Sequence, residues 1–246
     1  MKTKSYIATF VGELTKCRTL YSLRVTFLLS GVLVMLVSGF VVLQASRFQS
    51  LGRGADLGGM QIYDWPIVVL HYGQIIPIVA SALVLGQDGS VGARRRALLV
   101  TPNRLVLYIS KLLIVIVTST ILAVVCTLGA VAPLLFIQTD GTQHFDAMRI
   151  LWVIVYWPLI GIIGGSLVAA TRSVAIGVVP VLVWVFGFSD LIAARIPEFD
   201  ITIDQIFKAL YLLGATPSIA QMILAAVQVA IAAVFGALVL IRKDAG

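Results

Sequence analysis

The sequence predicts an all-α membrane protein, organised as a single transmembrane domain over residues 1–246. Of these residues 60% are hydrophobic and only 12% are charged, whereas an ordinary soluble domain has roughly 45–50% and 25%. The apolar residues are gathered into runs close to the ~20 residues that a helix needs to cross a bilayer. Backbone polar groups in lipid must be satisfied within their own segment, so such runs predict helices.

Six runs of this kind predict six transmembrane helices. They lie at about 25–44, 65–85, 106–137, 150–170, 174–192 and 218–241. The third run exceeds the hydrocarbon thickness, so we expect its first turns to lie in the membrane interface and Lys111 to extend to water. Pro133 is expected to kink the far end of the same helix.

The basic residues predict the orientation. An even number of spans puts both termini on one side, and with cytoplasmic termini that side carries thirteen of the 18 Lys and Arg residues. This distribution agrees with the positive-inside rule. The net charge of +7 therefore reflects membrane topology, which argues against nucleic acid and for the lipid bilayer as a partner.

Residues 3–22 precede the first span. Apolar and aromatic residues recur there every three or four positions, at Tyr6, Phe10, Leu14, Cys17 and Tyr21, as on one face of a helix. We expect an amphipathic helix lying in the membrane interface. A disordered basic tail is the alternative.

Residues 193–217, before the sixth span, are too apolar for a free loop. Apolar residues from Ile196 to Tyr211 alternate there with charged ones such as Asp204 and Lys208. We expect one or two short helices that dip into the outer leaflet as a re-entrant segment. A loop folded over the helix bundle is the alternative.

The connection 86–111 is the most strongly charged interruption in the first two-thirds of the chain. Its glycines end the second span, and residues 93–100 are expected to form a short helix that carries Arg94, Arg95 and Arg96. Pro102 ends that helix, because a residue before proline avoids the helical region, and Asn103 caps the next one. The alternative is that the three arginines only fix the orientation of the chain in the membrane. This alternative explains the positive charge but not the other residues of the connection.

The order of residues in this connection resembles the membrane subunit of type-2 ABC transporters, the ABC-2 permeases of bacterial exporters. That family commonly has an acidic residue, a glycine-rich turn, Leu-Leu, Pro, Arg and Lys. The matching residues here are Asp88, Gly89, Gly92, Leu98, Leu99, Pro102, Arg104 and Lys111. Glu is more usual in the family where this chain has Asp88. The Arg-rich helix and the Leu-Tyr-Ile-Ser-Lys ending are most similar to permeases of lantibiotic and peptide-antibiotic self-protection systems.

The resemblance implies a multi-pass protein of the bacterial plasma membrane that pairs with a second permease, as a homo- or heterodimer, and binds a cytoplasmic ABC ATPase. It implies that 93–100 is a coupling helix and that the N-terminal helix also docks on the ATPase. The residues expected to couple to the ATPase are Glu13, Lys16, Asp88, Arg94, Arg95, Arg96, Leu98, Leu99, Pro102 and Arg104. The implied role is export of an amphipathic or hydrophobic cargo, such as a peptide antibiotic, a drug or a lipid-linked molecule, as in multidrug or bacteriocin resistance.

The chain has no Gly-x-x-x-x-Gly-Lys-Ser/Thr loop to cradle phosphates. ATP and Mg²⁺ are therefore expected on the partner ATPase, and no cofactor or metal is expected on this chain. Polar residues inside a span are candidates for function, so His71, Tyr72 and Gln74 are expected to line a substrate path. The alternative is that they satisfy one another or a neighbouring backbone.

No catalytic site is expected. Gly164-Gly165-Ser166 comes nearest to an intramembrane serine-protease motif, but no histidine follows it in the sequence. A His-Glu-x-x-His zinc motif is also missing. A secondary transporter or channel that works without an ATPase is the remaining alternative, and Pro77 and Pro180 would then mark broken helices.

Overall fold

The computed structural model describes residues 2–19, 21–51, 61–87, 99, 103–136, 147–195, 202–213 and 218–243. These residues are almost entirely helical, and no strand occurs among them, which confirms the all-α fold class. The α-helices are α1 (Lys2–Thr19), α2 (Tyr21–Ser50), α3 (Trp65–Tyr72), α4 (Ile75–Gly86), α5 (Arg104–Val131), α6 (Ala147–Thr171), α7 (Val174–Val183), α8 (Ser189–Arg195), α9 (Ile203–Leu213) and α10 (Ile219–Lys243).

Five helical segments are long and apolar enough to cross a membrane. They are Tyr21–Ser50, Ile62–Gly86, Arg104–Phe136, Ala147–Thr171 and Ile219–Arg242, and they coincide with five of the six predicted spans. The predicted span 174–192 corresponds to α7, a π-helical turn at Trp184–Phe188, and α8. Its apolar part, Val174–Phe188, is shorter than the other five segments.

Prolines mark the irregular places in these helices. Pro77 has no N–H to donate to the carbonyl four residues earlier, and at that point α3 and α4 are separated by a turn in which Ile76 donates to Gly73 O at 2.9 Å. The helix around Pro133 changes from α to a 3-10 helix at Ala132–Phe136. The π-helical turn follows Pro180 of α7.

Helix α6 forms the centre of the bundle. It packs against α4, α5, α7 and α10, and its Tyr156 and Trp157 are among the largest fully buried side chains. Glycine allows the close approach, because a Cβ on Gly161 would lie 2.7 Å from Ser119 Oγ of α5. Helices α2 and α10 instead expose most of their apolar side chains, which suits contact with lipid or with another helix.

The contacts between helices show which helix ends lie together at each end of the bundle. At one end, α1 meets α5, Gly86 meets Val174 of α7, and Tyr108 of α5 bonds to Ala233 O of α10. The turn between α6 and α7 lies at this end, where Arg172 adopts a left-handed φ of 61°. At the opposite end, the starts of α3 and α6 are joined to α9 by polar contacts.

Candidate functional site

Apart from Leu99, the predicted coupling helix and the residues next to it, 88–102, lie outside the described residues. This applies to Asp88, Arg94, Arg95, Arg96, Leu98 and Pro102. Of the residues expected to couple to the ATPase, the structure describes Glu13, Lys16, Leu99 and Arg104. Leu99 is 84% exposed, and Arg104 is the first residue of α5. Asn103 caps that helix as predicted, since its side-chain oxygen accepts from Leu105 N at 3.1 Å and Val106 N at 3.3 Å.

Helix α1 is fixed to α5 by a buried ion pair. Glu13 Oε2 lies 3.8 Å from Lys111 Nζ, and both side chains are about 5–6% exposed. Lys16, which is half exposed, forms a second ion pair with the same carboxylate. The prediction that Lys111 extends to water is therefore wrong, because the carboxylate from α1 supplies a partner inside the protein.

The buried face of α1 differs from the predicted one. Glu13 and Cys17 are buried and Phe10 is partly buried, whereas Leu14 is 38% exposed and Tyr21, which belongs to α2, is 80% exposed. The apolar periodicity predicted a face through Phe10, Leu14 and Cys17. The buried face of α1 instead includes Glu13, which forms the ion pair with α5. A prediction from apolar residues alone places a charged residue such as Glu13 on the exposed face.

Cys17 joins α1 to the end of the second spanning segment. Gln87 Nε2 lies 3.6 Å from Cys17 Sγ, just before the connection that carries the predicted coupling helix. Burial raises the pKa of the Cys17 thiol, the Gln87 amide lowers it and the Glu13 carboxylate raises it further, with a net increase. The docked thiol is therefore protonated and unreactive at neutral pH.

The polar residues predicted for a substrate path separate into two groups. His71 and Gln74 are buried together, with Gln74 Nε2 3.5 Å from His71 Nδ1, and the same ring nitrogen bonds to Tyr211 OH of α9. Tyr72 is 63% exposed on the outside of the bundle and stacks on Phe186 at a centroid distance of 6.3 Å. His71 and Gln74 contact each other, as the alternative predicts, but Gln74 Oε1 has no hydrogen-bond partner among the described residues, and a transport role for them stays a prediction.

An ion pair and a backbone bond hold α9 to the far end of the bundle. Arg149 Nη1 lies 2.5 Å from Asp64 Oδ1, and Arg149 Nε donates to Tyr211 O at 2.7 Å. Helix α9 also buries Ile203, Ile206, Phe207, Leu210 and Tyr211. The expected short helix before the last span is therefore present, and it packs on α6 rather than forming a free loop.

Asp204, in the first turn of α9, is completely buried. Tyr156 OH of α6 donates to its Oδ1 at 3.0 Å, and Ser189 Oγ of α8 donates to its Oδ2 at 2.7 Å. Gln228 of α10 lies beside it and accepts from Ile203 N at 3.0 Å. Four helices thus contribute to one polar cluster, which we call the Asp204 cluster: Tyr156, Ser189, Asp204 and Gln228.

A cavity of about 290 Å³ opens next to the Asp204 cluster. It lies between α6, α7, α9 and α10, and its walls are mostly apolar. The lining residues are Ile160, Ile163, Leu167, Pro180, Val181, Trp184, Ile203, Asp204, Gln228 and Ala232. Asp204 is the one charged side chain among these described residues.

Sequence reasoning missed the Asp204 cluster although it contained two signals. Asp204 and Tyr211 are seven residues apart, so they share one side of a helix. Gln228 is a polar residue in the middle of the last apolar run, where polar residues are costly. Neither signal identifies a buried carboxylate by itself, because a charge that alternates with apolar residues is also typical of a solvent-facing position.

Comparisons with known proteins give no identity. No protein-family model, no curated protein and no solved structure matches this chain. Among the described residues, no group of three or more His, Cys, Asp or Glu side chains is placed to hold a metal ion. The function is therefore inferred from the arrangement of residues described above.

Proposed function

We propose that this chain is the permease subunit of an ATP-driven ABC exporter in a bacterial plasma membrane. In this proposal the helical turns from 174 to 195 form the fifth of six spans, and both termini lie in the cytoplasm. A separate ATPase subunit binds and hydrolyses ATP with Mg²⁺, and a second permease completes the transporter. The cargo is amphipathic or hydrophobic.

The observation that carries the proposal is the attachment of α1 to α5. The buried pair of Glu13 and Lys111 and the contact of Cys17 with Gln87 tie the N-terminal helix to both ends of the connection between the second and third apolar segments. A motor protein that moved α1 or this connection would therefore move α5 directly. A lipid-anchoring helix has no need of such a link.

Two further features support the same proposal. Helix α1 and the last turns of α10 lie at the same end of the bundle as Gln87 and Asn103, the described residues on either side of 88–102. Helix α9 lies at the opposite end, as expected of a re-entrant outer segment before the last span.

Purification with its partners tests the proposal. The tagged chain, extracted in mild detergent from its native host, should retain a stoichiometric subunit that carries a phosphate-binding loop. A second permease in the same complex would distinguish a heterodimer from a homodimer. If no ATPase follows the chain in nanodiscs or mild detergent, the proposal is wrong.

A matched pair of triple variants separates docking from topological anchoring. Arg94, Arg95 and Arg96 changed together to Lys keep the positive charge that sets orientation, but lose the planar guanidinium that forms bidentate contacts. If the helix docks on the ATPase, the Lys variant inserts normally and loses most transport-coupled ATPase activity. Changing all three to Glu should abolish coupling as well. If the Lys variant keeps full transport-coupled ATPase activity, the three arginines do not dock on the ATPase and serve only to fix the orientation in the membrane.

A secondary transporter is the second candidate. The interruption before Pro77, the π-helical turn after Pro180 and the buried Asp204 favour it, because ion-coupled transporters use broken helices and intramembrane carboxylates. Transport by proteoliposomes that contain this chain alone, driven by a proton or sodium gradient, would select this function over the exporter.

A further inference from the structure

The cavity beside α9 has a polar end built around one carboxylate. Asp204 receives hydrogen bonds from Tyr156 OH at 3.0 Å and Ser189 Oγ at 2.7 Å. It also lies in the first turn of α9, where the helix dipole favours negative charge. Burying a carboxylate is costly without such partners, so the two hydroxyls hold Asp204 in position and compensate its burial.

Part of the cavity wall is formed by an irregular helical segment. Pro180 and the first residue of the π-helical turn, Trp184, line the same cavity. Irregular backbone at membrane depth is tolerated where it is buried in protein or lines a cavity, and π-turns are frequent at functional sites. Trp184 also contributes its indole ring to the cavity lining, and indole rings attract cations placed over their faces.

We propose that this cavity binds a lipophilic cation, with the hydrocarbon group against the apolar walls and the ammonium or guanidinium group toward Asp204. The charge of the site selects a cation over a neutral lipid chain. The volume of about 290 Å³ is at the lower limit of small-molecule pockets, roughly 300–1,000 Å³, so it fits a compact amine and excludes a peptide. If the chain is the proposed permease, the lipophilic cation is its substrate. Binding of the cation to the cavity does not depend on that proposed function.

Binding is tested with the full chain in nanodiscs and three probes of one shape: 1-adamantylammonium, 1-adamantanol and 1-adamantanecarboxylate. The protein is labelled with 5-fluorotryptophan, and the ¹⁹F resonance that disappears in Trp184→Phe is assigned to Trp184. We expect 1-adamantylammonium to shift this resonance at a concentration at least tenfold lower than 1-adamantanol, and the carboxylate to leave it unchanged.

Two variants and a control locate the site. Asp204→Asn should remove the preference for the ammonium probe, and Ala232→Trp should fill the cavity and remove binding of both the ammonium and the alcohol. Ala230→Trp introduces the same bulk into α10 at an exposed position outside the cavity lining, so it should bind as the parent chain does. Ala232→Trp and the probe series remain decisive if Asp204→Asn fails to fold.

Equal response to the ammonium and the alcohol would mean that the cavity holds a neutral lipid chain, and the inference would be wrong. It would also be wrong if Ala232→Trp and Ala230→Trp behaved alike. No ATP or ATPase enters this experiment, so loss of probe binding overturns the inference alone. Absence of an ATPase partner overturns the exporter proposal and leaves the binding result intact.

Discussion

Replacing Glu13 by Gln should release α1 from α5. Lys111 is then left buried without the carboxylate, and breaking a buried pair in this way costs about 3–5 kcal/mol. The Glu13 to Lys111 distance of 3.8 Å is long for an ion pair, so we take the lower value, about 3 kcal/mol. At 1.4 kcal/mol per factor of ten, the undocked fraction of α1 rises by about a hundredfold.

Cys17 reports this change directly. It is 6% exposed between α1 and the bundle, and its thiol is reactive only when α1 leaves. The sequence contains one other cysteine, Cys126, which is buried in α5, so a Cys126→Ala background gives a single reporter. When docking is fast, the maleimide labelling rate follows the undocked fraction, and Glu13→Gln should accelerate it by up to the same hundredfold.

Two controls isolate the ion pair from other effects. Lys16→Ala removes the exposed partner of the same carboxylate, and exposed pairs contribute only about 0.2–1 kcal/mol, so labelling should change severalfold at most. Glu13 also raises the pKa of Cys17, so its removal alone speeds labelling slightly. The double variant Glu13→Leu with Lys111→Met also lacks that charge but replaces both members of the buried pair by apolar side chains, and should restore protection. The reasoning fails if Glu13→Gln labels no faster than its parent.

Three comparisons between variants test local geometry, each measured as unfolding stability in detergent. Gly177→Ala should destabilise the chain by about 1–3 kcal/mol, because the new Cβ would lie 2.6 Å from the Val168 backbone. Gly187→Ala is the control, because its new Cβ would have no atom within 4 Å, and it should be neutral or slightly stabilising. Equal effects of the two substitutions would refute the close contact at Gly177. At residue 172, whose φ is 61°, Arg172→Gly should be more stable than Arg172→Ala by about 1 kcal/mol, and the reverse order would contradict a left-handed backbone there. Asn103→Ala should cost about 1 kcal/mol through loss of the N-cap, while Asn103→Asp or Asn103→Ser should cost much less.

The sequence was sufficient for the parts of the fold that lipid dictates. Six apolar segments of spanning length were predicted from hydrophobicity alone, since a bilayer requires that length and composition, and five of them coincide with helical segments long enough to cross a membrane. Asn103 was predicted as a cap because the capping bond is made within three residues of the chain. Both predictions depend on interactions that are local or imposed by the solvent.

The parts that failed depend on partners far apart in the chain. Lys111 was expected at the water interface, but its partner is Glu13 in another helix. No role was predicted for Asp204, and its hydrogen-bond donors come from Tyr156 and Ser189 in two other helices. Periodicity assigns a charged residue to the polar face of its own helix, and it carries no information on which charges will find a buried partner.

The described contacts also indicate how movement at one end of the bundle would reach the other. Glu13 holds α1 to α5, and Tyr108 of α5 bonds to Ser166 of α6 at 3.1 Å. Ten residues earlier in α6, about 15 Å along the helix, Tyr156 bonds to Asp204 beside the cavity. Glycines pack α6 closely against its neighbours, and close-packed interiors shift as units rather than deform continuously. A force applied at α1 should therefore displace α6, and Tyr156 would pass that displacement to Asp204 through its hydroxyl, together with the other contacts that hold α9 on α6.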